Sequence, residues 1–393
     1  MSNLVKDVEA LKNYLIETRR EFHQNPELSL KEFRTASRIE EELTKFGIKH
    51  SRVGETGVLG ILKGDKPSDK VLLLRADIDA LPINEVGDVE YISKNPGVMH
   101  ACGHDAHTTC LLAAAKILSE KKNEIAGEVR FVFQPAEEIG KGTQPFIEAD
   151  VLEGVDRVFG LHCAPDLPLG TVGLTPKLNN AAVDHFTISV KGVSSHVSLP
   201  HKGVDALYVA SEIVVAVQAL RTRLNSPLEP MIIGIGKFNA GTTYNALAAN
   251  AVLEGTTRTI SKESRAKIKT EINRCVKNIA EIYGATATVE WEGFTGPVIN
   301  DPEVCEEVAA LVDETFGKGH VVKDREISLG GDNFADFIEE KKGAYAYLGT
   351  SSETKPCTKL PLHSDSFDLD EEAMLKGTWL HVAYALCFLA LVL

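Results

Sequence analysis

Apolar positions along the chain follow two periods. Residues 4 to 23 space them three and four apart, which predicts an amphipathic helix stopped by Asn25-Pro26, and residues 30 to 46 predict a second helix closed by Gly47. Short apolar runs follow around 57 to 63, at 70 to 79 (KVLLLRADID), at 128 to 135 (EVRFVFQP) and at 156 to 163 (DRVFGLHC), the form taken by strands buried on both faces. A helix is predicted over about 106 to 121. Strand and helix alternate, so the class is α/β.

The order changes between about 181 and 295. DHFTISVKG reads as a strand, VDALYVASEIVVAVQALRTRL as a helix, PMIIGIGKF and ANAVLEGTTRTI as strands, ESRAKIKTEINRCVKNIAEIYG as a helix and TATVEWEGF as a strand. This is β-α-β-β-α-β, a split βαβ (ferredoxin-like) α+β sandwich. It predicts an independent domain at 181–295 inserted into a host formed by 1–180 and 296–393. The host resumes with the helix-like PEVCEEVAALVDETF, the strand-like AYAYLGT and an apolar tail, 378 to 393. That tail contains His381 and falls short of the ~20 residues that span a bilayer, so it is expected as a buried terminal helix.

Composition narrows the function classes. The 393 residues carry a formal charge of -14 with no Lys/Arg-dense stretch, which argues against nucleic acid as a partner. Apolar residues at 44% and charged residues at 25% fit an ordinary globular chain, and no membrane association is expected. The seven cysteines are scattered and odd in number, unlike a disulfide framework, and MSNLVKDVEALKNYL lacks the apolar core of a signal peptide. A cytoplasmic location is expected.

The chemistry gathers where the strands end. KVLLLRADID runs out at Asp77 and Asp79, RFVFQPAEE at Glu137 and Glu138, and RVFGLH at His162, and sites in open α/β sheets lie beyond the carboxyl ends of strands. MHACGHDAHTTC, 99 to 110, adds Cys102 and His104, two apart and on one side of the chain if extended, so they can share a metal. Thiolate and imidazole suit zinc or another borderline transition metal rather than magnesium or calcium. In the adjacent pair after Pro135, one acid can bind metal while the other handles the proton of a metal-activated water, a hydrolase arrangement. Read alone, Cys102 could instead be a small buried hydrophobe and the acid pair a solvated helix start. His100 and His107 read as structural, and Cys110 as core.

The motifs RREFHQNPELS, RADIDALP, MHACGHDAH, FQPAEE, GLH, SSHVSLPHKGVDA, LEGTTRT and LHSDSFDLDEEAM span nearly the whole chain. In this order they resemble the aminoacylase, hippurate hydrolase and auxin-conjugate hydrolase branch of the co-catalytic metallopeptidases. The resemblance implies a zinc-peptidase-like catalytic domain with an inserted lid and dimerisation domain. It implies two divalent ions, zinc or manganese, cobalt or nickel, held by Cys102, His104, Glu138, His162 and His363, with Cys102 between them. Glu137 is then the general acid and base, and Asp77, in preference to Asp79, orients a ligand. In the lid, His196 polarises the scissile carbonyl, often in the partner's site, while Asn245 and Arg258 hold the substrate carboxylate. The implied reaction is hydrolysis of small-molecule N-acyl amino acids by a homodimer. The alternatives are a di- or aminopeptidase with the same metals and a non-catalytic binding protein on the same fold. Two segments depart from the family pattern: Asp332-Asn333-Phe334 stands where relatives carry Glu-Asp-Phe, and YNALAAN only loosely matches the segment around Asn245.

Overall fold

The computed structural model describes residues 2–390; positions 391–393 of the expected terminal helix lie outside them. The chain divides into two compact units, Met1–Asn179 with Val298–Glu326 and Asn333–Leu393, and Asn180–Pro297 with Ile327–Asp332. The short return of Ile327–Asp332 to the second unit has no counterpart in the expected boundaries.

The first unit is built on an eight-stranded mixed sheet. Its order is Lys49–Val53, Gly57–Lys63, Ala126–Gln134, Lys66–Asp77, Arg157–Pro168, Gly343–Ser351, Val172–Gly173 and Val321–Val322. The four central strands run parallel to one another, and the hairpin Lys49–Lys63 adds an antiparallel edge. Alternation in the apolar runs explains why both faces are dry. Leu72, Leu74, Phe131, Phe133 and Leu161 pack on one side with Leu111, Leu112, Ala115 and Leu118 of the helix His104–Glu120. Leu73, Val132, Val158 and Tyr345 point to the other side and pack with Phe146 and Phe337.

Two expectations change in detail. The first predicted helix is two helices, Ser2–Glu9 and Lys12–Gln24, because the Leu11 amide turns back to Val8 O at 2.9 Å and tightens the turn between them. The terminal helix, Ala373–Phe388, is buried along most of its length, and no helix among the described residues is long and apolar enough to cross a membrane.

The second unit is a four-stranded antiparallel sheet in the order Thr286–Thr295, Ala182–Lys191, Asn250–Thr259, Met231–Ala240. Two helices lie on it, Ala206–Arg223 and Lys262–Ile282, started by the side-chain caps of Asp205 and Ser261. Their apolar stripes, Val209, Ile213 and Val217 and Ile268, Ile272 and Val276, meet Phe186, Ile188, Val190 and Leu253 in a core of their own.

Candidate metal centre and active site

In the first unit the parallel strands deliver the expected residues to one place. Cys102, His104 and His162 form a buried group whose potential ligand atoms lie within 4.8 Å of one another, and so do Cys102, Glu138 and His363, and His104, Glu137 and Glu138. Cys102 and His104 are not in an extended segment. They flank Gly103 in a turn that opens the helix His104–Glu120, and this turn rather than β-type alternation puts them together. Gly103 has φ +85°, and a Cβ there would sit 3.1 Å from Cys163 Sγ, so both conformation and space call for glycine.

Two of the three candidate histidine ligands are fixed from behind, His104 and His162. His104 Nδ1 donates to the Asp79 carbonyl at 2.9 Å, which turns Nε2 towards the cluster, and that buried atom has no hydrogen-bond partner. His162 Nδ1 donates to Cys163 O at 2.8 Å, and its Nε2 lies 3.4 Å from Cys102 Sγ. Glu138 Oε1 is likewise buried without a hydrogen-bond partner, 3.4 Å from His363 Nε2 and 3.8 Å from His104 Nε2. Buried polar atoms without partners are rare, and lone pairs converging from imidazole, thiol and carboxylate have the donor chemistry of a transition-metal site. His107 is excluded as a ligand because both nitrogens are used: Nδ1 meets Asp77 Oδ1 at 2.6 Å, and Nε2 accepts the Cys163 amide at 2.8 Å.

The two aspartates divide their work differently from the expectation. Asp77 Oδ1 holds His107 and its Oδ2 accepts from Arg75 at 2.7 Å, while its approach to His104 is only 3.8 Å. Asp79 is the residue behind His104. Its carboxylate also accepts the amides of Glu137 and Glu138 at 3.1 Å each and the Ser29 hydroxyl at 2.6 Å. One buried residue thus fixes a candidate ligand through its backbone carbonyl, and the acid pair and the loop before the second predicted helix through its carboxylate. In the sequence the preference falls on Asp77, because two acids separated by one residue at a strand's end look alike until the turn after the strand is known.

Electrostatics follow from this packing. Burial raises the Asp77 carboxyl, but His104, Arg75 and His107 outweigh it and hold the group well below its ordinary range. Burial lowers His104, yet Asp77, Asp79 and Cys102 bring it well above its usual value. Burial, then His107, keeps His162 well below its own, so it is neutral. Burial and Glu138 push the Cys102 thiol up.

Two non-glycine residues adopt left-handed backbone here. Ala136, φ +50°, precedes the acid pair, and its amide donates to buried Glu32 at 2.9 Å; His363, φ +65°, donates its amide to Ala101 O at 2.8 Å. Such conformations cost of order 1–3 kcal/mol each and persist where surrounding bonds impose them. Beside the cluster, Asp105 takes Arg19 Nε at 2.8 Å and His23 Nδ1 at 2.7 Å, and His23 Nε2 reaches Glu85 at 3.1 Å. Nothing in the spacing of Arg19, His23 and Glu85 signals this network. Asn333 is buried and accepts from Arg75 at 3.2 Å and Gln134 at 2.7 Å, so an amide oxygen serves in the segment that departs from the family pattern.

The second unit carries His196, Asn245 and Arg258. His196 is exposed; its Nδ1 accepts the Ser198 amide at 3.2 Å, which leaves Nε2 as the N–H donor of the neutral ring. Asn245 is also exposed and lies beside it, its carbonyl accepting the Val197 amide at 3.1 Å. Arg258 stands near the far end of the strand Asn250–Thr259. It is half-buried, has no carboxylate partner among the described residues, and is lowered below its ordinary pKa by burial. The fold brings the first two together and not the third.

Residues 73–386 match peptidase family M20/M25/M40. The chain is 39% identical to thermostable carboxypeptidase 2 of Saccharolobus solfataricus, over 99% of this chain and 98% of that one. It is 40% identical to an N-acyl-L-amino acid amidohydrolase of Geobacillus stearothermophilus, over 75% and 80%. A Bacillus subtilis dinuclear-metal-binding peptidase of the M20 family superposes with a TM-score of 0.83 at 34% identity, covering 97% of this chain and 99% of that one. The chain therefore belongs to peptidase family M20/M25/M40, within its amidohydrolase branch, and is a metal-dependent hydrolase of C–N bonds.

Proposed function

We propose that the protein hydrolyses the amide bond of N-acyl amino acids, with Cys102, His104, Glu138, His162 and His363 holding two divalent ions. When bound, the ions, zinc or manganese, cobalt or nickel, polarise the amide carbonyl and lower the pKa of a water. Glu137, adjacent to the ligand Glu138 and fixed through its amide to Asp79, takes the proton of the attacking water and returns it to the leaving amine. Asp79 orients His104, and Asp77 orients His107. His196 donates Nε2–H to the carbonyl oxygen as negative charge grows there.

The observation that carries the substrate class is Arg258. A half-buried guanidinium without a carboxylate of its own is suited to the free carboxylate of an amino acid, which it can grip through paired N–H donors, with Asn245 adding a neutral contact. The test is a panel of N-acyl amino acids and their carboxamides, offered to protein reloaded with each metal. Cleavage of the carboxylates is expected, with Glu137→Gln slower by on the order of 10³-fold at unchanged metal content. Equal rates on carboxylates and carboxamides would sink the role of Arg258. A second reading, a carboxypeptidase, is favoured by the relative of that name and uses the same carboxylate grip. Free-amine dipeptides in the panel separate the two.

A homodimer completes this reading. Asn245 and His196 lie at the start of the strand Asn250–Thr259 and Arg258 near its end, so at ~3.3 Å per residue about 25 Å of strand separates them. A single substrate cannot meet both groups from one copy. A second copy supplies both His196 and Asn245 to the site of the first.

A further inference from the structure

The first unit contains an apolar cavity of about 190 Å³, lined in part by Val5, Val8, Leu169, Phe316, Lys376 and Trp379. That is many times the ~10–15 Å³ needed for one water. None of these residues belongs to the candidate metal centre. Two hydrogen-bond donors sit in its wall, beside Glu9 and Glu372. Lys376 is 9% exposed, and among the described residues no carboxylate pairs with it; its ammonium meets the Gly170 carbonyl at 2.5 Å and His320 Nδ1 at 3.4 Å and lies 3.9 Å from the centre of the Phe316 ring. Trp379 is 1% exposed, and its indole N–H has no hydrogen-bond partner. Burial pushes the lysine down to about 8, the direction expected of a cation without a counter-ion.

Buried ammonium and indole donors are costly when unmatched, and apolar walls reject a hydrated ion. We propose that this cavity is a binding site for a small apolar carboxylate, its carboxylate on Lys376 and its hydrocarbon or aromatic body among Val5, Val8, Leu169 and Phe316. Of the two glutamates that also line the cavity, Glu372 is engaged by Lys12, while Glu9 stands as the competing negative charge. The site does not depend on the substrate class proposed above.

The chain has two tryptophans, so Trp291→Phe protein reports on Trp379 alone. Titrated with benzoate and with its uncharged counterpart benzamide, this protein should show saturable change in Trp379 emission with benzoate bound at least roughly tenfold more tightly, the worth of a charge-assisted hydrogen bond. Lys376→Met should lose that preference. Val5→Phe, which fills the cavity from its edge and keeps the lysine, should lose binding of both ligands, and Glu9→Gln should tighten benzoate. The proposal is overturned if benzoate and benzamide bind equally, if Lys376→Met or Val5→Phe binds benzoate as before, or if millimolar benzoate leaves Trp379 emission unchanged.

Discussion

The two units hold their chemistry in opposite ways. In the first, most candidate ligands are backed from outside the cluster: His104 by Asp79, His162 by Cys163 O, Glu138 and its neighbour Glu137 by amide bonds to Asp79, and the backbone of His363 by Ala101 O. In the second, His196 and Asn245 are exposed, joined to each other's segments only by backbone contacts and with side chains bonded only to near neighbours in sequence, and Arg258 lies towards the other end of the sheet with no carboxylate to hold. A metal site must be preorganised, because misplaced ligands cost affinity directly. Groups that grip a substrate can await it, since the substrate supplies the missing half of each bond.

The sharpest way to break this contrast is to mix two inactive copies. His196→Ala should lose on the order of 10²–10³ in kcat, the usual worth of one donor to a developing oxyanion. Glu137→Gln should be more impaired. Co-expressed and purified together, the two variants should recover activity, because the intact metal site of one copy is served by His196 of the other. A mixture no more active than its components places His196 in its own chain's site and removes the argument for the dimer.

Arg258→Lys comes next. It keeps the charge and loses the paired geometry, so kcat/KM on N-acyl amino acids should fall roughly 10–100-fold, while the carboxamides change little. A uniform loss on both substrates marks Arg258 as structural. Asp79→Asn probes the first unit by the same logic. Weakening the carboxylate's bonds to the acid-pair amides and its 3.3 Å approach to His104 Nδ1 should lower metal affinity roughly 10–100-fold, read by competition with a chelator, whereas Asp77→Asn should perturb His107 and leave metal affinity closer to native.

The same contrast explains what was legible in the sequence. The second unit's element order could be read directly because each element shows its own period: alternating strands such as ANAVLEGTTRTI and helices with a single apolar stripe. The central strands were equally plain as apolar runs. The hairpin strand Lys49–Val53 was not, since KHSRV is mostly polar and owes its place to pairing with Gly57–Lys63. Strand-end acids and the Cys-x-His pair marked the candidate site, but roles within it needed three dimensions. Asp77 and Asp79 are two residues apart on one run, and which of them backs His104 depends on how the chain turns after Asp77 and how the helix after Gly103 is set. The buried Arg19–Asp105–His23–Glu85 network joins three separate segments, Arg19 and His23 sharing one helix, and has no local signature.

The smallest effect concerns stability in acid, and it too separates the units. His381 is fully buried in the terminal helix against Phe159, neither ring nitrogen has a hydrogen-bond partner, and burial lowers it to about 3. His100, on the loop before the metal cluster, is lowered to about 4, again chiefly by burial. In the second unit His185, His196 and His201 are all at least partly exposed. For a histidine whose folded pKa lies below the unfolded value near 6.5, the unfolded chain takes up the proton first as pH falls. Its contribution is therefore complete above about pH 6.5 and is lost progressively as pH falls towards the folded pKa. At ~1.36 kcal/mol per pH unit, His381 alone removes about 2 kcal/mol between pH 7.5 and pH 5. In chelator-treated protein, so that metal release does not contribute, urea unfolding at the two pH values should show the first unit losing stability and the second much less. His381→Leu fills a similar volume without a titrating group and should recover that loss at pH 5. If its pH dependence matches the native protein's, His381 is not what acid attacks, and the metal-centre histidines carry the loss instead.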